Sequence, residues 1–464
     1  MKPFPSLKLR LALWAYAAAW HLLLPLILLY LWRRGRRDRD YVAHLAERFG
    51  RYRARMEGAV WVHAVSLGEM RSAVPLIRAF LARGDRVVTT HFTPAGRREA
   101  ERVFAPEIAA GQVASVWIPI ETAWAFRRFF RAFRPAFGLV MEVEIWPRMI
   151  MAARGARVPL FLCNAQYPLR SFTRDTTRTG LRAEVMRGLA GAFVKSDLQA
   201  SRFAAVGVPN IHVTGELRFD QPIPPAQLAA GAAARAAWGL EGRPVITIAS
   251  AVEGEDATYI AALRALGVGQ EPGAPLVVYV PRRPERFDEV AATLLAAGFG
   301  VARRSDVLDG GLTVRAALRG DILLGDSLGE MYFYLSLADR VVVGGGFTPA
   351  GAHNIIEPLA VGKPVVTGPV TWPIEYPFAE AEAAGVARSV PDAAGLAAAL
   401  GALPRRPSVL EPMANTMDAP RSISAKKKPE YSEISAFFAA HSGAAGRTLS
   451  ALPEALATAR ATSR

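Results

Sequence analysis

Three acidic side chains stand where strand-like runs give way to helical ones, and each is placed to do proton or charge chemistry. Glu69 lies in Ser66-Leu67-Gly68-Glu69, directly after the apolar run AVWVHAV and at the start of the helical pattern EMRSAVPLIRAFL. A carboxylate at the carboxyl end of a strand can take the proton from an attacking hydroxyl. The same four residues also read as a capping box, with Ser66 as N-cap and Glu69 reaching back. Glu142 and Glu144, in MEVEIWP over Met141 to Pro147, end another apolar run at i and i+2. Strand alternation places both on one sheet face. Acids there must be solvated, paired or used, and helix arginines such as Arg127 or Arg131 are the candidate partners.

The second half carries groups suited to an anion. Pro281-Arg282-Arg283-Pro284-Glu285-Arg286-Phe287 follows the run PLVVYV. Two prolines stiffen a turn whose guanidinium groups can hold a phosphate bidentately, and a solvated charged turn is the alternative. Val341 to Gly346 runs into three glycines, followed by Gly351 to Pro358, GAHNIIEP. Glycines permit close backbone approach to a ligand, and a helix starting near Asn354 favours an anion, although Asn354 and Glu357 also fit a capping pattern. The segment is neither a Walker A loop nor a GxGxxG fingerprint. No HExxH occurs, and the one DxD-like triplet, Asp38-Arg39-Asp40, sits among arginines. The expectation is no metal and no metal-clamped nucleotide diphosphate, with arginine neutralising phosphate charge instead.

These residues need elements to hold them. The runs AVWVHAV, DRVVTTHF, SVWIPI, FGLVMEVE, VPLFLCNA, GAFVKSD and NIHVTGE alternate with helical patterns, as parallel βαβ units do. A Pro-, Ala- and Gly-rich stretch near Gln221 to Gly242 comes next. A second series then appears: PVITIAS, PLVVYVP, GFGVARR, DILLGDS, RVVVGGG and KPVVTGP. The fold class is α/β, with two facing Rossmann-like domains and the site expected between them, beyond the strands' carboxyl ends. The division is 1–40 anchor and basic flank, 41–220 first domain, 221–242 connector, 243–404 second domain, and 405–464 an irregular tail, including Lys426 to Lys428, that ends in a helix.

At 464 residues, with 51% hydrophobic and 21% charged residues, the chain suits two cores plus an apolar segment. Its net charge of +15 calls for an anionic partner. Leu11 to Trp32 reads LALWAYAAAWHLLLPLILLYLW, long enough to span a bilayer, with Trp14, Tyr16, Tyr30 and Trp32 as interfacial aromatics. His21 and Pro25 weaken a spanning helix and leave an interfacial one open. Arg33, Arg34, Arg36, Arg37 and Arg39 come directly after, so this flank and everything beyond it is expected in the cytoplasm, against an anionic membrane surface. No aromatic-and-basic module for nucleic acid is present. The lone Cys163 excludes an intrachain disulfide and a cysteine zinc site, and reads as a buried thiol. Oligomeric state is left open.

Taken in order, HAVSLGEM, TTHFTPAGR, MEVEIWPRMI, VTGELRFD, VPRRPERF, GDSLGEMYFY and GGGFTPAGAHNIIEP resemble the 3-deoxy-D-manno-oct-2-ulosonic acid (Kdo) transferases, glycosyltransferases of lipopolysaccharide biosynthesis. The resemblance runs from the anchor to about Pro369. It implies the GT-B fold, an inverting and metal-independent transfer from CMP-Kdo, and a lipid A precursor (lipid IV-A) as acceptor at the inner membrane's cytoplasmic face. By position, Glu69 is similar to the family's proton acceptor and Glu142 to an acid assisting the transition state. Arg218 stands where the family usually has an assisting lysine. Pro281 and Arg282, then Leu328, Gly329 and Glu330, then Asn354, Ile355, Ile356 and Glu357 match the segments that hold CMP. No cofactor beyond the donor is implied.

The chain departs from the family's pattern at Arg283, at Ala352, in the run Asn164-Ala165-Gln166-Tyr167-Pro168, and at Arg218, a broader and always charged group than lysine. These positions bear on substrate choice more than on fold. A related GT-B transferase with another donor or acceptor, or a catalytically silent envelope-binding protein, are the competing readings.

Overall fold

The computed structural model describes residues 4–177, 180–271, 273–401 and 429–462. The chain divides into two compact units: Met1–Gln221 together with His441–Arg464, and Pro222–Ala440. The connector over 221–242 contains the helix Pro225–Ala237, which belongs to the second unit. Residues 405–428 of the expected tail, with Lys426 to Lys428, lie outside the described residues. The rest of the tail forms two helices, Pro429–His441 and Ala444–Thr462, and the second returns to the first unit.

In the first unit all seven expected runs are strands: β1 (Val60–His63), β2 (Val87–His91), β3 (Val113–Trp117), β4 (Phe137–Met141), β5 (Leu160–Ala165), β6 (Gly191–Val194) and β7 (Ile211–Val213). They form one parallel sheet in the order β3-β2-β1-β4-β5-β6-β7. Every residue of β1, β2, β4, β5 and β6 is buried, as expected of a parallel sheet covered on both faces. On one face Trp61, Phe126, Phe129 and Phe133 pack with Tyr52, with ring centroids 4.9 Å apart for Trp61 and Phe129. On the other, Ile77, Phe80, Phe104 and Phe161 meet Leu452, Ala455 and Ala459 from the final helix. That helix is bound at its start by Asp220, which accepts from the Ala445 N–H (2.7 Å), and along its length by Asn210 Nδ2, which donates to the Ala455 carbonyl (2.8 Å).

The second unit has β8 (Val245–Ala251), β9 (Leu276–Pro281), β10 (Val301–Arg303), β11 (Ile322–Leu324), β12 (Arg340–Val343), β13 (Val365–Thr367) and β14 (Ala387–Ser389). Its order is β10-β11-β9-β8-β12-β13-β14, again all parallel. Sequence patterning finds six of these strands and misses β14. This edge strand is Ala387-Arg388-Ser389, with Arg388 exposed and no β-branched or aromatic residue to mark it.

Leu7–Gly35 is one 29-residue helix, longer than the apolar run, capped by Ser6 and containing Pro25. It is long and apolar enough to cross a membrane.

Candidate active site

In each sheet the strand order reverses beside the first strand, between β1 and β4 and between β8 and β12. Ligands of open α/β sheets sit beyond the carboxyl ends at such points. Glu69 and Glu142 leave the ends of β1 and β4, which are hydrogen-bonded neighbours.

Glu69 keeps the capping geometry in altered form. Ser66 Oγ accepts from the Glu69 N–H (3.4 Å) and donates to Glu69 Oε1 (2.8 Å). Glu69 Oε2 accepts from the N–H of Val65, one residue before the cap (2.8 Å). Burial pushes its carboxyl up from 4.5 to about 7; the two hydrogen bonds oppose this, and the charges of Glu144 and Glu142 add to it. Each oxygen keeps a lone pair beyond its one donor. The turn is braced from behind. Thr93 Oγ1 donates to the Val65 carbonyl (2.8 Å), and Gly96 lies where a Cβ would approach the Ser66 backbone to 3.1 Å. His91 Nδ1 donates to the Ala64 carbonyl (3.0 Å), leaving Nε2 to accept from Thr89 (3.0 Å). Burial lowers His91 to about 3, so it braces as a neutral ring.

Glu142 departs from the alternating-strand expectation. β4 stops at Met141, and Glu142 takes a left-handed φ of 57°, which costs a side chain about 1–2 kcal/mol unless its surroundings enforce it. Glu142 and Glu144 therefore separate. Glu144 accepts from Trp146 Nε1 (2.7 Å), while Glu142 turns to Lys195 and Asn164, not to Arg127 or Arg131. Lys195 is 4% exposed and bridges Glu142 (3.0 Å) and Glu216 (2.7 Å). Asn164, also left-handed at φ 54°, donates from one Nδ2 to both carboxylates (2.9 and 2.8 Å) while its Oδ1 accepts from the Leu217 N–H (2.8 Å). Burial alone would raise the Glu216 carboxyl, but the Lys195 ammonium, then Arg218, hold it well below the ordinary range.

Arg218 joins this cluster to the Glu69 helix. Its Nε donates to Ser72 Oγ (3.0 Å), and Ser72 donates to the Gly68 carbonyl (2.9 Å). One chain of contacts thus runs Ser72, Arg218, Glu216, Lys195, Glu142, Asn164. Of the six, Arg218 and Glu142 are sequence-predicted site residues. Sequence reasoning misses Lys195, Glu216 and Ser72, and reaches Asn164 only as part of a departing run. Gln166, from that same run, borders the chain at 3.5 Å from Lys195 Nζ.

In the second unit, Pro281 closes β9 and Arg282 is exposed beyond it, its N–H bonded to the Ala251 carbonyl (2.9 Å). Arg286 of the same turn is buried against Asp256, so it serves the fold, and Arg283 is exposed. Burial, then the positive charge of Arg282, lowers His353 to about 4, which makes it a neutral ring near that guanidinium. The run GAHNIIEP contains His353, but its pattern assigns that ring no role. Burial, then the charge of the Glu357 carboxylate, raises the Tyr332 phenol. In the other segment Leu328 is exposed and Gly329 takes a φ of +83°. Glu330 is held by both Arg304 Nε and Nη2 (2.7 Å each), so its carboxylate is committed to that guanidinium.

Two expectations for the glycine-rich segment need correction. A Cβ on Gly344 would lie 2.4 Å from the Ser250 carbonyl oxygen, and one on Gly346 2.5 Å from the Gly368 nitrogen, so close backbone packing requires these glycines. The N–H groups of Gly345 and Phe347 are taken by the buried Glu255 (2.8 and 3.1 Å). The helix after Asn354 is only Ile356–Ala360, and Asn354 Oδ1 accepts its first N–H (3.0 Å). Little of a helix dipole is left for an anion. Asn354 and Ile355 precede this turn, and Ile355 and Ile356 are buried. Among the described residues, no three His, Cys, Asp or Glu side chains are grouped to hold a metal ion.

Comparison with known proteins adds to this geometry. A family model described as 3-deoxy-D-manno-octulosonic-acid transferase (kdotransferase) matches residues 43–221. A Bordetella pertussis protein named 3-deoxy-D-manno-octulosonic acid transferase is 40% identical over 95% of this chain and 98% of its own. A Haemophilus influenzae protein of the same name is 29% identical over 75% of this chain and 80% of its own. Among solved structures, Glycyrrhiza uralensis UGT73P12 superposes with a TM-score of 0.55 at 12% identity, covering 88% of this chain and 97% of that one, a likeness of fold alone.

Proposed function

Because the chain belongs to the Kdo transferase family and is a glycosyltransferase of the GT-B fold, we propose that it moves Kdo from CMP-Kdo to a lipid A precursor, lipid IV-A, with Glu69 as the base. The observation that carries the base assignment is a carboxyl held by two hydrogen bonds at the end of β1 and lifted by burial to about 7. Such a group is ionised in useful proportion at neutral pH and is basic enough to accept a proton.

An acceptor hydroxyl loses its proton to Glu69 as its oxygen bonds to the anomeric carbon of Kdo. The bond from that carbon to the CMP phosphate breaks, the electron pair leaves with the phosphate, and the configuration inverts. Glu142, fixed by Lys195 and Asn164, offers negative charge to the positive character that develops at the anomeric carbon. Arg218 and Arg282 supply positive charge to the departing phosphate without a metal. Pro281, the Leu328, Gly329 and Glu330 turn, and Asn354 to Glu357 hold CMP, with backbone and the Glu357 carboxylate as the available polar groups. The chain works on the cytoplasmic face of the inner membrane, attached through the Leu7–Gly35 helix.

The test is transfer from CMP-Kdo to lipid IV-A by the purified full chain, read as CMP release and as a mass increase of the lipid. Wild type is expected to turn over and Glu69→Gln is not. CMP binding without Kdo on the lipid would redirect the reading to another donor or acceptor, and neither binding nor turnover would favour a silent binding protein.

A further inference from the structure

The anchor helix is tied to its own domain at both ends. At its start, Ser6 donates its N–H to Glu184 Oε1 (2.8 Å) and its hydroxyl to Oε2 (2.9 Å). Further along, Arg148 Nη2 donates to the Leu13 carbonyl (3.1 Å), and Tyr16 OH donates to Glu121 Oε2 (3.1 Å). Leu9 and Leu13 are buried in the same core as Phe126, Met149 and Val185. Past the other end, Asp38 and Asp40 both pair with Arg98 of the helix Pro94–Val103.

These contacts conflict with a crossing. At 1.5 Å per residue, Ser6 and Arg33 are about 40 Å apart along the axis, and the hydrocarbon core is about 30 Å thick. A helix inserted across the bilayer would carry Ser6 to the far side. Glu184, Arg148 and Glu121 all lie in the domain on the near side, after the arginines. The helix can cross or keep its partners, but not both.

Its free surface fits the headgroup boundary. Trp14 is 77% exposed, Leu22 78% and Leu26 61%, so an apolar midsection faces outward between the tethers. Lys8 and Arg10 stand exposed at one end and Arg33, Arg34, Arg36 and Arg37 at the other. Basic groups at both ends match anionic headgroups on one side of a membrane, where a spanning segment needs them at its cytoplasmic end only. We propose that Leu7–Gly35 lies along the cytoplasmic interface of an anionic bilayer with both ends on the same side. This rests on the membrane attachment proposed for the helix and replaces crossing with monotopic docking.

The native thiol, Cys163, is buried, so the unmodified chain serves as the blank for thiol labelling. Lys8→Cys and Arg37→Cys are expressed separately in a Gram-negative host and treated with a membrane-impermeant maleimide, in spheroplasts and in inside-out inner-membrane vesicles. Both positions are expected to label in the vesicles and neither in spheroplasts. Labelling of Lys8→Cys from the periplasmic side overturns the proposal, as does its protection from both sides while Arg37→Cys reacts. A chain found wholly in the soluble fraction would sink the membrane attachment itself. Labelling needs no catalysis, so a failed transfer assay leaves this result standing.

Discussion

Replacing Glu69 by glutamine separates a capping acid from a base, because the two roles change activity and stability in opposite ways. A carboxyl raised from 4.5 to about 7 binds its proton more tightly in the fold than in the unfolded chain. Its contribution to stability is therefore fully present below about pH 4.5 and is lost as pH rises through about 7. At 1.36 kcal/mol per unit of pKa, trimmed for partial solvent access, the loss amounts to about 2–3 kcal/mol. Glutamine carries no such burden, but it meets the Val65 N–H and the Ser66 hydroxyl with one acceptor where the carboxylate has two, at a cost of about 1 kcal/mol. Near about pH 5 the wild-type carboxyl is protonated and, like the amide, offers one carbonyl acceptor, so Glu69→Gln should match wild type to within about 1 kcal/mol; near about pH 8.5 it should be more stable by about 1–2 kcal/mol. Urea titrations of the detergent-solubilised chain at the two pH values measure this. Turnover in the variant should fall about 100- to 10,000-fold, while wild-type turnover rises with pH through about 7. A variant equally destabilised at both pH values would refute the buried-carboxyl argument, and one that retains turnover would refute the base.

Lys195→Met strands two carboxylates, one of them 2% exposed, and should destabilise the first unit by about 3–5 kcal/mol in urea; adding Glu216→Gln should recover part of the loss. Gly346→Ala puts a Cβ 2.5 Å from the Gly368 nitrogen, and a loss of about 1–3 kcal/mol is expected in thermal unfolding with no change at Glu69. Arg282→Ala should weaken CMP binding by calorimetry roughly 10- to 100-fold, the worth of a charge-assisted pair. Arg286→Ala, in the same turn, should lower stability instead, because it removes the cation from the Asp256 carboxylate and leaves it the Tyr279 hydroxyl as donor.

Local pattern carried the strands and the caps, and non-local assembly carried the polar cluster. Most of the thirteen strands found are visible because a doubly covered parallel strand needs a near-continuous apolar run, and the Ser66 and Glu69 cap is visible because its partners lie within four residues. Lys195 offers no such signal. In GAFVKSD it reads as a polar residue at a strand end, and its burial depends on Glu142 and Glu216, 53 residues before it and 21 after. Left-handed turns at Glu142 and Asn164 aim those side chains together, and neither residue is a glycine that would flag the turn. Glu255 escaped for the same reason, since its partners Gly345 and Phe347 come about 90 residues later. The glycines themselves were visible, but their cause is the close approach of Ser250 and Gly368, which only the folded sheet reveals.

The helix Ala444–Thr462 gives the chain an unusual order of completion during synthesis. It covers one face of the first sheet, yet the ribosome makes it only after all of Pro222–Ala440 has been added. At about 5–20 residues per second, Ile77, Phe80 and Phe104 wait roughly twenty to seventy-five seconds for Leu452, Ala455 and Ala459. The opposite face, with Leu9 and Leu13 among its partners, can be closed from the start. A nascent chain of this protein is therefore docked by its first helix while its first domain is still open on the other side, and a fragment cut at Gln221 would carry that open face permanently.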